Sequence, residues 1–180
     1  MRRRSSWVHS GAANGRLPST GLRCFPGLNL IQQLGRTIIS KNISEFGRDA
    51  ERLGTGPFER LIGYRTGLSA AHGAYLELEV QERHLSQYGI AHGGVALVLL
   101  DTVGGVHLLA KRPELARIAT ISLSANFIGP VRPGLVLATA EIQRIGGSLA
   151  YTSMALHAGD FDGELLATAH GAYRLFHARG

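Results

Sequence analysis

A single carboxylate, Asp101, lies in an almost continuous apolar run that follows the turn His92-Gly93-Gly94 in the segment GIAHGGVALVLLD. Burying a charge without a partner is costly, so a carboxylate in this setting needs hydrogen-bond donors. A carboxylate held in a cleft is a candidate general base or nucleophile. It can also be a structural group that accepts hydrogen bonds from a neighbouring backbone. The residue type alone leaves both roles open.

The glycine pair before the run is predicted to begin a helix. The first four N–H groups of a helix have no partner within it, and they favour partial negative charge. Gly93 and Asp101 are eight residues apart, which is about 12 Å along a helix axis. One substrate carbonyl cannot easily reach both, so a shared reaction requires two subunits related by a two-fold axis. A simple tight turn is the alternative explanation of the glycine pair.

The surrounding elements predict an α+β architecture. GPFERLIG is typical of a short helix with Pro57 in its first turn and Gly63 at its end, and AYLELEV of a strand with one face in water. The roughly 18 residues after His92 are apolar on nearly every side, as in a helix surrounded by protein. Short turns separate four further strand-like runs and predict antiparallel neighbours: RIATISLSANFIGP, GLVLATAEIQRIG, SLAYTSMALHA and ELLATAHGAYRLF. We expect an antiparallel β-sheet wrapped around a long central α-helix.

Charge and cysteine content restrict the domain organisation and the partners. Of the 19 Arg and Lys residues, seven lie in residues 1–44, which contain no acid, so residues 45–180 carry 12 basic and 13 acidic residues. This near-neutral body argues against nucleic acid as a partner. The extension 1–44 suits an organellar targeting segment, a disordered tail or a misassigned start, with one domain over 45–180. The lone cysteine, Cys24, favours a reducing compartment, so we expect a cytoplasmic protein unless the extension directs it to an organelle.

Other ligands and activities are also restricted. The longest apolar run, Val95 to Ala110, contains polar residues and is shorter than the roughly 20 residues of a membrane span. We therefore expect no membrane span. No histidine pair has the spacing of a zinc helix, so we also expect no metal. A dehydratase needs an acid and a base close together, but Asp101 and His107 should lie on opposite sides of the helix. Gly104 and Gly105 could line a groove or allow close packing on the sheet.

The run RHLSQYGIAHGGVALVLLDTVGG, followed by TISLSANFIGPVRPG and a Gly-Gly turn between two strands, resembles the hotdog-fold acyl-CoA thioesterases of the phenylacetate-degradation (PaaI-like) type. The resemblance covers about Pro57 to Phe176. It implies hydrolysis of an aryl- or medium-chain acyl-CoA to free acid and CoA, with coenzyme A present only as part of the substrate. It further implies a homo-oligomer, a dimer or a dimer of dimers, with sites at the subunit interface. Asp101 would activate water or attack the thioester carbon, and the Gly93 N–H would polarise the carbonyl.

The same resemblance implies supporting roles for neighbouring residues. Thr120 would help to hold the water, while His92 would brace the glycine turn rather than act as a base. Gly94 would line the substrate site with Phe127, which would lie near the path of the CoA chain.

Two positions depart from the pattern of the resembled family. Ser86 stands where many members have Asn, so catalysis would be weaker or would be helped by Gln87. In the Gly146-Gly147-Ser148 turn, which would contact substrate, Gly147 stands where many members have Arg or Lys near the CoA phosphates. Charge for the phosphates would then come from elsewhere, with three candidates: Arg144, Arg132 and Arg117. These departures keep open a non-catalytic module that binds acyl-CoA or acyl-carrier protein.

Overall fold

The computed structural model describes residues 56–177, which form six antiparallel strands around one long helix. The helices are α1 (Pro57–Ile62) and α2 (Gly93–Lys111), and a short 3-10 turn covers Glu82–His84. The strands are β1 (Arg65–Ser69), β2 (Gly73–Val80), β3 (Leu115–Phe127), β4 (Gly134–Ile145), β5 (Leu149–Ala158) and β6 (Leu165–His177). This confirms the predicted α+β hotdog arrangement. The extension 1–44, its boundary at residue 45 and Cys24 lie outside the described residues.

Local signals set the ends of both helices. Pro57 occupies the first turn of α1, and Gly63 ends it with a φ of 89°, a left-handed conformation that glycine adopts without strain. At the start of α2, His92 is the N-cap: its Nδ1 accepts a hydrogen bond of 3.0 Å from the Gly94 N–H. The first helix therefore begins and ends close to where Pro57 and Gly63 predict, and α2 begins at the predicted glycine pair.

The strand order is β1-β2-β4-β5-β6-β3, and every neighbouring pair is antiparallel. The prediction that short turns join neighbouring strands holds for β4 with β5 and for β5 with β6, but it is wrong for β3 and β4. Residues 128–133 instead cross the end of the sheet, where the Ile128 N–H bonds to the Leu166 carbonyl and the Ala91 N–H to the Val131 carbonyl. As a result, β3 pairs with β6 and forms one edge of the described sheet.

The core lies between α2 and the inner face of the sheet. Nine α2 residues are buried. Four of them, Ala96, Leu99, Leu100 and Val103, share one apolar cluster with inward-facing residues of β2, β4, β5 and β6, among them Leu76, Leu78, Val136, Leu156 and Leu166. Burial of one such side chain contributes about 1.5–3 kcal/mol. By length and composition α2 would also suit a membrane span, but 56% of its most apolar 18-residue window is buried in this core. The core accounts for its apolar sequence.

The expectation that β2 keeps one face in water holds at Glu79, which is exposed, but it is wrong at Tyr75 and Glu77. Tyr75 and Glu77, on the face opposite the core, are only 3% and 8% exposed. The Tyr75 ring packs edge-on against Phe161 in the loop between β5 and β6. The Glu77 carboxylate accepts a 2.8 Å hydrogen bond from Arg65 Nε. Alternation identified the strand, but the groups that cover its outer face are distant in sequence.

Candidate active site

Asp101 lies in the middle of α2, half-buried beside the edge strand β3. The Thr120 hydroxyl donates a 2.8 Å hydrogen bond to its Oδ1. From the neighbouring strand β6, the Tyr173 hydroxyl donates a 3.0 Å hydrogen bond to the Asp101 main-chain oxygen. The lone carboxylate of the apolar run is therefore held at both its side chain and its backbone.

Two tyrosines lie close to this carboxylate, and no spacing in the sequence singled them out. Burial and the Asp101 charge both raise the pKa of Tyr173. Burial also raises the pKa of Tyr64, whose hydroxyl interacts with Thr102 and Glu59. Both phenols stay protonated at neutral pH, so neither places a second negative charge beside Asp101.

Gly93 begins α2 next to the far end of β3. A Cβ atom built on Gly93 would lie 3.4 Å from Cζ of Phe127. The N–H groups of Gly94 and Val95 both bond to His92, whereas the Gly93 N–H has no hydrogen-bond partner among residues 56–177. This leaves a backbone donor at an exposed helix N-terminus, where the helix dipole favours negative charge.

One subunit does not bring these two features together. Asp101 lies beside Thr120 in the middle of β3, and Gly93 lies beside Phe127 at the end of the strand. A cavity of about 640 Å³ opens elsewhere, lined by the β1–β2 turn, the C-terminal half of α2 and strands β4 to β6. Neither Asp101 nor Gly93 lines this cavity.

The remaining predicted residues lie in two loops. Before α2, the Ser86 hydroxyl donates to the Ile90 carbonyl at 3.0 Å and accepts from the Tyr88 N–H at 3.3 Å, so it stabilises that loop. The Gly146-Gly147-Ser148 turn joins β4 to β5, and the Gly147 carbonyl accepts a 2.9 Å hydrogen bond from His177 Nε2. Of the three candidate arginines, Arg132 and Arg144 are exposed and Arg117 stacks on the Phe176 ring.

The other polar and glycine positions of α2 have packing roles. His107 is buried, with Nδ1 3.2 Å from the Ala74 carbonyl oxygen, as expected for a core histidine. A Cβ on Gly104 would overlap the Tyr173 hydroxyl, and one on Gly105 would overlap the end of the Ile118 side chain. The glycines therefore allow close packing on the sheet. Residues 56–177 contain no group of three His, Cys, Asp or Glu side chains that could hold a metal ion.

An antiparallel sheet wrapped around one long central helix defines the hotdog class of folds, and in this chain the helix carries the half-buried Asp101. Residues 88–162 match the family model described as Thioesterase superfamily. The chain is 31% identical to human acyl-coenzyme A thioesterase 13 over 101 residues, or 55% of this chain and 71% of that protein.

Solved structures share the fold. A thioesterase from Haemophilus influenzae superposes with a TM-score of 0.64 at 19% identity, over 70% of this chain and 87% of that one. A Streptococcus mutans protein bound to acetyl-CoA superposes with a TM-score of 0.53 at 20% identity, over 59% and 82%. The chain belongs to the thioesterase superfamily, and it is a thioester hydrolase.

Proposed function

We propose that this enzyme hydrolyses an aryl- or medium-chain acyl-CoA of the phenylacetate-degradation type, at a site shared by two subunits. The observation that carries the proposal is the Asp101 carboxylate, held by Thr120 on an open flank of the central helix. The name of the human relative, an acyl-CoA thioesterase, and the acetyl-CoA bound to the Streptococcus mutans protein support a CoA ester as substrate.

Two chemical routes fit the carboxylate. As a base, Asp101 takes a proton from water while the water oxygen bonds to the thioester carbon. As a nucleophile, its oxygen bonds to that carbon and forms an anhydride that water then cleaves. In either route the carbonyl oxygen gains negative charge, the C–S bond breaks, and CoA leaves as a thiolate that takes up a proton. The Gly93 N–H of the partner subunit would stabilise the oxyanion.

The edge strand β3 supports a two-fold dimer. Three apolar side chains on or next to β3 are each more than half exposed: Ile121, Phe127 and Ile128. An open strand edge with exposed apolar side chains favours pairing with another chain. Antiparallel pairing of β3 with its own copy, centred between Leu123 and Ser124, would place Thr120 opposite Phe127 of the partner subunit. Asp101 of one subunit would then approach Gly93 of the other.

Thiol release from a panel of aryl-CoA and aliphatic acyl-CoA esters tests this function. We expect Asp101→Asn to lower kcat by at least about a hundredfold, since general acid–base groups contribute about 10²–10⁴. Asp162→Asn, which removes an exposed carboxylate from the β5–β6 loop, is the matched control and should retain the wild-type rate. Undiminished turnover by Asp101→Asn would refute the assigned role, and hydrolysis of simple thioesters without any CoA ester would refute the substrate class.

A further inference from the structure

The two residues that hold Asp101 are neighbours in the sheet. Thr120 of β3 and Tyr173 of β6 are Cα partners in the antiparallel register. The Thr120 hydroxyl holds the carboxylate, while the Tyr173 hydroxyl holds the main-chain oxygen of the same residue. One cross-strand residue pair therefore forms hydrogen bonds with both the side-chain carboxylate and the main-chain oxygen of Asp101.

Two glycines lower the intrinsic stability of α2 about one turn after Asp101. Gly104 and Gly105 follow Asp101 by three and four residues, and glycine is the least favourable non-proline residue within a helix. Helices tend to bend at such positions. A second donor on the Asp101 carbonyl, from a rigid strand, would oppose that bending.

Because Gly104 has no side chain, the Tyr173 hydroxyl can reach the Asp101 carbonyl. Tyr173 is fully buried, and a Cβ atom at Gly104 would overlap its hydroxyl. The aromatic ring has little room to withdraw, because it packs in a cluster with Leu108, Leu115 and Leu175. At the next position, a Cβ on Gly105 would overlap the terminal methyl of Ile118, the flexible end of its side chain, and would lie 3.9 Å from Cε1 of Tyr173, an ordinary van der Waals contact.

We propose that Tyr173 is a positioning residue for thioester hydrolysis. Its hydrogen bond to the Asp101 carbonyl, for which Gly104 leaves room, fixes the position of the Asp101 carboxylate relative to Thr120 and the substrate. This inference rests on the proposed role of Asp101. Tyr173 does not touch the reacting atoms and acts only through Asp101. Its removal should therefore change kcat and leave substrate binding nearly unaltered.

Kinetics of four variants test the proposal. Tyr173→Phe and Gly104→Ala should each lower kcat about tenfold, with KM within about twofold of wild type, since each loses one hydrogen bond that places the carboxylate. Gly105→Ala adds the same methyl group one residue later, and Tyr75→Phe removes a hydroxyl from a tyrosine on the opposite face of the sheet. Both controls should keep the wild-type kcat. Circular dichroism and thermal melts establish that each variant is folded, and Tyr173→Phe carries the test if Gly104→Ala does not fold.

The double variant Asp101→Asn/Tyr173→Phe separates positioning from general structural damage. If Tyr173 acts through Asp101, the double variant should show the same residual rate as Asp101→Asn alone, measured at high enzyme concentration. An unchanged kcat in Tyr173→Phe, or an equal loss with and without the Asp101 carboxylate, would overturn the inference. A fully active Asp101→Asn single variant would instead show that the proposed function of Asp101 fails.

Discussion

The Thr120 hydroxyl donates a 2.8 Å hydrogen bond to the Asp101 carboxylate, although the two residues are 19 positions apart on different elements. Thr120 belongs to β3 and Asp101 to α2, so the bond joins the central helix to the edge of the sheet. A carboxylate held in this way has its orientation set before substrate arrives, and that lowers the cost of reaching a reactive geometry.

Replacing Thr120 should show what this orientation contributes. Thr120→Val keeps the shape of the side chain but removes the hydroxyl. We expect kcat to fall about 10- to 100-fold, because hydrogen bonds to charged groups contribute about 1.5–3 kcal/mol. Thr120→Ser retains the donor and should stay within about threefold of wild type. Equal activity of the Val and Ser variants in steady-state assays would argue against a role for the hydroxyl.

The Gly93 N–H can be removed selectively. Gly93 is the first helical residue of α2, where proline is tolerated, and His92 has a ψ of 137°, which suits a residue before proline. Gly93→Pro should lower kcat about 10²–10³-fold, the usual effect of losing one oxyanion donor. Gly93→Ala keeps the N–H and adds a Cβ near Phe127, so it should be much more active; if both variants were equally impaired, crowding rather than the lost donor would be the cause.

A charge on the exposed edge of the sheet should disrupt the dimer. Ile121 of β3 is 58% exposed, and Ile121→Lys would place a charged group where the proposed interface excludes water, so dimer and activity should be lost together. Sedimentation velocity at several protein concentrations measures the oligomeric state, and kcat at the same concentrations measures the activity. Tyr151→Lys makes the same kind of change at an exposed apolar residue of β5 and should leave the dimer intact. A fully active monomeric Ile121→Lys would contradict the shared site.

A cation at the β4–β5 turn should improve binding of the CoA ester. A Cβ on Gly147 meets no atom within 4 Å, so Gly147→Arg should fit without strain. We expect KM for acyl-CoA to fall by up to about fivefold, because an exposed ion pair contributes at most about 1 kcal/mol. KM for the matching N-acetylcysteamine thioester, which lacks the nucleotide, should not change, and Gly147→Glu should raise KM for acyl-CoA. An equal shift with both substrates would show that the turn does not contact the CoA phosphates.

The buried His107 should make stability depend on pH. Burial lowers the pKa of His107, outweighing the hydrogen bond to the Ala74 carbonyl, which raises it. The unfolded state therefore binds more protons as pH falls below about 6.5, and stability should decrease there until His107 is protonated in the folded state as well. Thermal melts across this range should be less pH-dependent for His107→Asn, which keeps a donor but does not titrate. His170→Asn, at an exposed histidine, should retain the wild-type slope, and an equal slope in all three proteins would contradict the prediction.

The sequence by itself determined the elements and the spacing within them. Pro57, Gly63 and the Gly93-Gly94 pair indicate helix ends through local backbone geometry. The apolar run after His92 identifies the central helix, because a helix surrounded by protein has such a composition. Gly93 and Asp101 are eight residues apart, a distance of about 12 Å along the helix, and this spacing predicts a site shared by two subunits.

Only the tertiary structure decided which strands and side chains meet. Residues 128–133 join β3 to β4 along the chain, yet β3 pairs with β6 rather than β4, because strand pairing depends on hydrogen bonds between distant segments. Other long-range contacts place Tyr173 of β6 beside Asp101 and Phe161 of the β5–β6 loop against Tyr75 of β2. No local periodicity reports these contacts, since each depends on how the sheet closes around α2.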